Sequence, residues 1–506
     1  MLRTLVKRIF STNEDWASMP AGWRLLRGMS WLMVGIVLGR LSMWLCRIAA
    51  ARILGAAVLG EFGLIESTVN MFMGYAGLGM SLAVSKNLAE CFRADTQRAG
   101  RIIGIVSFFS GSAFVLLLIG FWFSSKSLAL GFSDSAEFLA SLRMGTLLAL
   151  MVPSGIAAAM LSSFQAFHHV AISTTIQGFA SLFLMLALAP VLGLHGVIFA
   201  FGGGTLVMLV YQVLTIRGLC RKYQIRIKFD KMRQEFPLLW RYGIPSMLSG
   251  ILAGPVEWGT RAILVKYGGG MKELGLYVGV FSLSSILIAA SALLQSVSIP
   301  VLSSSINFAE KEKGIHRTIF LFWSVSIFSV ILLVSFSNRL VNFVLGPEFS
   351  QAGLILAIVA IAIGIRVFFT SFGISLIVLD RVWQMSLNTM TGAPFFLAAA
   401  IFMAPRWGAK GLALSYLFSS VVILCLLYRT SARAMAWGNP SKTGIALTIM
   451  VIISSWFINT INVLWLSVSV TFLLLGVTAT VLIWLARKFD LLGEVASKIP
   501  FLLKPR

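Results

Sequence analysis

Apolar runs of twenty or more residues recur along the chain, and they constrain it more than any other feature. Residues 102–124 carry no charge, and 352–378 carry only Arg366. A helix rises ~1.5 Å per residue and the hydrocarbon core is ~30 Å thick, so about 20 apolar residues span it. Lipid offers no partners to backbone N–H and C=O groups, which restricts runs of this length to helices. Windows of that size place spans at 29–50, 60–83, 102–124, 145–166, 172–192, 197–216, 239–264, 275–303, 318–337, 352–378, 386–404, 411–428, 443–461 and 464–485. The expected fold is therefore an all-α membrane protein with fourteen transmembrane helices. A hydrophobic content of 58% and a charged content of 12% leave too little polar surface for a water-soluble chain of 506 residues.

The net charge of +23 raises the question of nucleic acid. The basic residues alternate with apolar runs, however, which makes their sidedness the better question. With the N-terminus in the cytoplasm, 28 of the 41 Lys and Arg fall in cytoplasmic segments, 8 in outer loops and 5 within spans. That asymmetry is the positive-inside signature. It puts both ends in the cytoplasm and removes the need for a nucleic-acid partner. The first apolar stretch is broken by Lys7 and Arg8, with no cleavage site after it, so no signal peptide is expected.

Shifted by 215 residues, the chain matches itself. Ala189-Pro190-x-x-Gly193-x-x-Gly196 falls on Ala404-Pro405-x-x-Gly408-x-x-Gly411, Gly60-x-Phe62 on Gly275-x-Tyr277, and Gly28 on Gly243. The Pro/Gly clusters occupy the outer turn between the fifth and sixth spans of each half. Six spans per copy is an even number, so the copies are parallel, related by an axis along the membrane normal. The expected organisation is a cytoplasmic segment 1–28, an N-lobe 29–216, a basic linker 217–238, a C-lobe 239–428, two further spans in 443–485 and a cytoplasmic tail 486–506. Such an arrangement encloses a cavity between two lobes and suits alternating access.

Five arginines lie in these spans: Arg40, Arg47, Arg241, Arg261 and Arg366. Each costs at least ~2.5–3.5 kcal/mol to place in the membrane and needs a compensating role. Arg40, Trp44 and Arg47 form one stripe along the first span. Arg366 lies near the middle of its span. Arg40 and Arg366 are too deep to snorkel easily, and they are candidates for lining a hydrated cavity. Arg241 sits where its head can reach lipid headgroups. Glu257 and Arg261 are i,i+4 and pair within one helix on the plainer reading. Glu61 and Glu66 share the second span, with Glu61 near the outer interface. Arginines outnumber the acids at hand, so the expected cavity is cationic and suits an anion; arginine offers bidentate geometry to phosphate. Cys46, Cys91, Cys220 and Cys425 have no disulfide or metal-ligand spacing, and no metal site is expected. No GxxxxGK[ST], GxSxG or HExxH motif occurs, so no catalytic residue is assigned. Gly202-Gly203-Gly204 reads as close helix packing, and Gly268-Gly269-Gly270 as an outer turn.

The stretch Arg47-Ile-Ala-Ala-Ala-Arg-Ile-Leu-Gly55, then Leu59-Gly-Glu-Phe-Gly63, Gly77-Leu-Gly79 and Ala89-Glu90, resembles the start of the polysaccharide flippases. These O-antigen and exopolysaccharide (Wzx-type) transporters belong to the multidrug/oligosaccharidyl-lipid/polysaccharide (MOP) exporter superfamily. The resemblance implies two six-helix lobes whose first two helices line a central cavity. The substrate it implies is an oligosaccharide on a polyprenyl pyrophosphate, moved to the periplasmic leaflet of the bacterial inner membrane. Arg40, Arg47 and Arg261 would hold the pyrophosphate with Trp44 beside them, and Arg366 ranks lower. Members work without ATP or an organic cofactor. Some are thought to couple to a proton or sodium gradient, for which Glu61, Glu66 and Glu257 are candidates. Membrane lipid and a polysaccharide polymerase or glycosyltransferase are the implied partners. A lipid II flippase is the alternative. A multidrug exporter fits less well, since those have acidic cavities, and a glycan polymerase or ligase would carry a larger outer loop.

Overall fold

The computed structural model describes residues 21–76, 80–92, 95–132, 136–227, 252–303, 308–379, 381–435, 471, 474–476 and 478. Among the described residues the secondary structure is helical, with no strand. Helix α1 runs Ala21–Ala76, α2 Met80–Cys91, α3 Thr96–Leu130, α4 Ala136–Met144, α5 Met151–Ser163 and α6 Phe167–Lys222. There follow α7 Ala253–Tyr267, α8 Gly270–Ser303, α9 Phe308–Ser335, α10 Ser337–Val344, α11 Gly353–Val378 and α12 Val382–Met435. Among the described residues, eight segments are long and apolar enough to cross a membrane. Large apolar side chains such as Phe123, Phe183 and Val191 point outward on these helices, with 72–80% exposure for Phe183, Phe123 and Val191. Water would penalise that surface and lipid does not. The chain is a multi-pass membrane protein.

Three helices are too long to be single crossings. A straight 56-residue helix would be about 84 Å long. Each of the three is broken by one glycine outside helical geometry: Gly55 in α1 (φ 77°), Gly193 in α6 (φ 56°, ψ −128°) and Gly408 in α12 (φ 57°, ψ −136°). These positive φ values are nearly free of cost only for glycine. Side-chain contacts show that the chain doubles back at each. Arg47 and Glu66 would be about 28 Å apart along a straight helix, yet they touch at 2.5 Å. Gln177 Nε2 donates to Thr205 Oγ1 at 3.0 Å across the Gly193 turn, and Asn388 Nδ2 donates to Thr430 Oγ1 at 2.7 Å across the Gly408 turn. The expected spans 29–50 and 60–83, 172–192 and 197–216, and 386–404 and 411–428 are thus the arms of three hairpins. Spans 443–461 and 464–485, Arg241, Gly28, Gly243 and the Gly77–Gly79 motif lie outside the described residues or their described side chains.

The 215-residue shift is visible in the backbone. Helices α6 and α12 begin that far apart, and their breaks at Gly193 and Gly408 have nearly the same φ and ψ. Gly55 and Gly270, both at positive φ, are separated by the same shift. A side chain on Gly196 would strike the Leu188 carbonyl, and one on Gly411 the Met403 carbonyl, again at matching positions. The turns entering α6 and α12 are alike too. Ala166 N donates to Leu161 O at 3.0 Å and Arg381 N to Leu376 O at 2.7 Å.

The chain divides into two compact units: Met1–Lys266 with Gly270–Gly275, and Tyr267–Gly269 with Leu276–Arg506. In the first, α1 and α6 pack through small residues. A Cβ on Gly35 would lie 2.3 Å from Ala171 Cα, and one on Gly178 would lie 2.7 Å from Ser42 Cβ. Gly202, Gly203 and Gly204 likewise face Leu147, Leu184 and Ser181, which is the close packing expected of them. Gly60 abuts the Met271 carbonyl and Gly275 the Ala56 carbonyl, which brings the first turns of α8 against α1 within this unit. An apolar cluster of Val84, Leu88, Ile102, Val106, Leu161 and Phe164 ties α2, α3 and α5 together. In the second unit, Ser326 Oγ donates to Gly364 O at 2.7 Å and joins α9 to α11.

Replacing Gly193 or Gly408 by alanine should cost about 1–3 kcal/mol through backbone strain. Thermal unfolding of the detergent-solubilised protein measures it. Gly155→Ala, where a Cβ meets nothing within 4 Å, should leave the transition unchanged. Equal behaviour of the three variants would contradict the hairpin turns.

Candidate functional site

The first two arms of α1 carry the stripe and the acids. The Gly55 turn folds Arg47 back against Glu66. Arg47 Nη1 donates to Glu66 Oε2 at 3.1 Å and Nη2 donates to Oε1 at 2.5 Å, a bidentate fork. The guanidinium also lies 5.5 Å from the centroid of Phe201 on α6, and Phe201 stacks on Phe62 at 5.0 Å. An ion pair within an apolar bundle stabilises only when its remaining donors are met, and the ring provides part of that compensation.

Helix α7 brings a second pair to the same place. Arg261 Nη2 donates to Glu257 Oε1 at 2.5 Å, one turn back on its own helix, and Nη1 donates to the Gly63 carbonyl of α1 at 2.9 Å. Arg261 is 8% exposed, whereas the Glu257 side chain is 50% exposed. The intrahelical pair of the plainer reading exists, and the same guanidinium also bridges two helices. Trp258 Nε1 donates to Thr68 Oγ1 at 3.1 Å and reinforces the bridge. Gly63, which Arg261 bonds, lies one turn before Glu66 on the same arm of α1, so the two pairs sit side by side. The four side chains therefore form one network of two cations and two anions. The residue count implied a cationic surplus. At this place the charges balance, because the Gly55 turn and α7 deliver an acid to each arginine.

The other residues of the stripe are placed differently. Arg40 is exposed and makes no hydrogen bond or ion pair among the described residues. Trp44 lies between it and Arg47, and its indole N–H is buried without a partner among the described residues. An unmet buried donor costs about 1–3 kcal/mol. Glu61 is half-buried one turn before Ile65 and stands outside the four-residue network.

Arg366 belongs to the second unit. Its Nε donates to Ser420 Oγ at 3.3 Å, and its guanidinium lies over Tyr416 at 4.5 Å and near Phe369 at 5.9 Å. The sequence reading missed Phe201, Gly63, Trp258, Thr68, Tyr416 and Ser420. Two of these were within reach, since Phe201 and Tyr416 are separated by the repeat shift of 215. A backbone carbonyl such as that of Gly63 leaves no mark in a sequence.

A protein-family model described as "Polysaccharide biosynthesis protein" matches residues 25–306. Among curated proteins no sequence matches significantly. Among solved structures, the lipid II flippase MurJ in an inward closed conformation is similar, with a TM-score of 0.72 at 13% identity, covering 91% of this chain and 99% of that one. An inward-facing multidrug resistance MATE family transporter of the MOP superfamily has a TM-score of 0.64 at 13% identity, covering 80% and 98%. A MOP superfamily transporter from Pyrococcus furiosus has a TM-score of 0.62 at 14% identity, covering 85% and 98%. These likenesses show the fold.

Arg47→Ala and Glu66→Ala should each destabilise the solubilised protein by more than the double variant does, because a single substitution strands one charge. A coupling of about 1–3 kcal/mol in a double-mutant cycle is expected. Additive losses would mean that the pair contributes nothing.

Proposed function

Because the chain belongs to the polysaccharide biosynthesis protein family, we propose that it is a flippase for a polyprenyl-pyrophosphate-linked oligosaccharide. It moves this lipid from the cytoplasmic to the periplasmic leaflet of a bacterial inner membrane by alternating access, for surface polysaccharide synthesis. In this reading the chain has fourteen spans, arranged as parallel six-span lobes 29–216 and 239–428 with two spans in 443–485. The segments 1–28, 217–238 and 486–506 are cytoplasmic. A glycosyltransferase would supply the lipid-linked unit and a polymerase would consume it.

The observation that carries the reading is the charge-balanced network of Arg47, Glu66, Arg261 and Glu257. An empty transporter has to pass through the membrane interior without stranded charge. The two carboxylates serve that purpose by occupying the guanidinium forks. A pyrophosphate offers the same bidentate oxygen geometry, so it can take the place of Glu66 on Arg47 or of Glu257 on Arg261. The exchange swaps one Arg–anion pair for another and keeps the net cost small. Glu66 and Glu257, once displaced, are the groups that would take up a proton or a sodium ion. Glu61 is the weaker coupling candidate because it lies outside the network. Arg40, exposed on the same stripe, provides a first electrostatic contact. The Trp44 indole N–H gains an acceptor when the site rearranges around substrate.

A lipid II flippase is the second reading, since its substrate presents the same pyrophosphate and the fold likeness to MurJ covers 91% of this chain. Depletion separates the two. Loss of a surface glycan with intact cell walls is expected here, and lysis would favour lipid II. Arg47→Ala and Arg40→Ala should abolish surface polysaccharide in a complementation assay, while immunoblots of membrane fractions show normal insertion. Full activity of both variants would remove the pyrophosphate role.

A further inference from the structure

The two halves treat their intramembrane guanidinium groups differently. Phe201 and Tyr416 occupy equivalent positions under the 215-residue shift, and each carries an arginine on its ring, Arg47 at 5.5 Å and Arg366 at 4.5 Å. In the first unit the acid Glu66 completes the arrangement. The position equivalent to Glu66 is Phe281, which packs against Tyr416 at 5.8 Å. Thr205, equivalent to Ser420, is engaged by Gln177, whereas Ser420 receives Arg366 Nε.

Arg366 is therefore held in place, with no acid against it among the described residues. Tyr416 is pinned by Phe281 and by Phe396 at 5.5 Å, and Phe369 lies beside the guanidinium. Only the Nε–H has a protein acceptor among the described residues, while arginine has further donors on Nη1 and Nη2. The residue is half-buried near the middle of α11, where an uncompensated cation is costly. Aromatic faces and one hydroxyl orient a guanidinium and stabilise it in part, but they supply no opposite charge.

We propose that Arg366, clamped by Tyr416 and Phe369 and anchored by Ser420, is a second anion station, one that takes a phosphate group of the lipid-linked substrate. The inference rests on the flippase reading and adds a site to it. The Arg47–Arg261 site must displace carboxylates to bind phosphate. The Arg366 station has none to displace among the described residues, so it binds without proton or cation exchange. A phosphate-bearing bilayer lipid presents similar chemistry, and the test separates the two sources.

Farnesyl pyrophosphate serves as the probe in equilibrium titrations of the full-length protein in a neutral detergent. The wild type should show two classes of site. Arg366→Gln should weaken one class by at least about tenfold, and Arg47→Gln should leave that class intact. Ser420→Ala, which removes only the Nε anchor and is mild for folding, should weaken the same class by about threefold. Inorganic pyrophosphate should compete at this class, and phosphatidylglycerol should not. Wild-type binding by Arg366→Gln together with loss in Arg47→Gln would overturn the second station and leave the flippase reading standing. Competition by phosphatidylglycerol alone would assign the station to bilayer lipid and overturn the substrate role. No binding of farnesyl pyrophosphate by the wild type would overturn both readings.

Discussion

Close approach of helix backbones at glycine is the constraint on which the rest depends. Lipid tails are as apolar as leucine, so burying apolar side chains does little to drive helices together inside a bilayer. What remains is dispersion and short polar contacts, and both need backbones near each other. Gly35, Gly39 and Gly178 let α1 and α6 touch, and Gly60 and Gly275 let α1 and the start of α8 touch. Hydroxyls then bridge the gap, as Thr174 Oγ1 does to the Gly35 carbonyl at 3.3 Å. With these contacts α1 is fixed along its length, and Arg47 arrives beside Glu66 as a consequence. A larger side chain at Gly60 would not merely loosen packing; it would shift the helix that carries both members of the pair.

The network built on that frame is a case where opposing terms are nearly equal. Desolvating an arginine and a glutamate costs several kcal/mol each, and their attraction repays it only with good geometry and met donors. The fork between Arg47 and Glu66 has that geometry, and Arg261 has both a carboxylate and a carbonyl. A pair balanced in this way is stable in the absence of ligand but is not hard to exchange. With side-chain exposures of 26% for Arg47 and 19% for Glu66, the pair is only partly buried. Deeper burial would have locked the pair, and full exposure would have made it worth almost nothing.

Much of the frame was legible in the sequence because its causes are local. Apolar run length gave α8 and α11 to within about five residues and the two arms of α6 and of α12, whereas the short α4 and α10 carry no such run and α9 begins well before its expected span. The Pro190–Gly193 and Pro405–Gly408 clusters marked two of the three hairpin turns. Asp95, whose carboxylate accepts from Arg98 N at 2.9 Å at the start of α3, is another local signal of this type. The charge network was not legible, because it depends on which faces the hairpins bring together. Arg47 and Glu66 were both singled out, yet nothing in a spacing of nineteen residues says that they meet. Counting arginines against acids suggested a cationic cavity, whereas pairing is decided by geometry and not by totals.

The backbone repeats at a shift of 215 residues while the side chains on it differ. The breaks at Gly193 and Gly408 differ by 1° in φ and 8° in ψ, so the two hairpins present the same positions to the space beside them. At those positions Phe201 and Tyr416 retained the aromatic face. Glu66 and Phe281 did not retain a common charge. Backbone geometry is constrained by glycine and by close carbonyls, which tolerate almost no substitution. The side chains facing inward from that frame carry no such constraint, and they are free to differ. Arg366 keeps such an aromatic platform and a hydroxyl anchor but has no acid beside it among the described residues, so the same backbone holds a paired guanidinium in one unit and an unpaired one in the other.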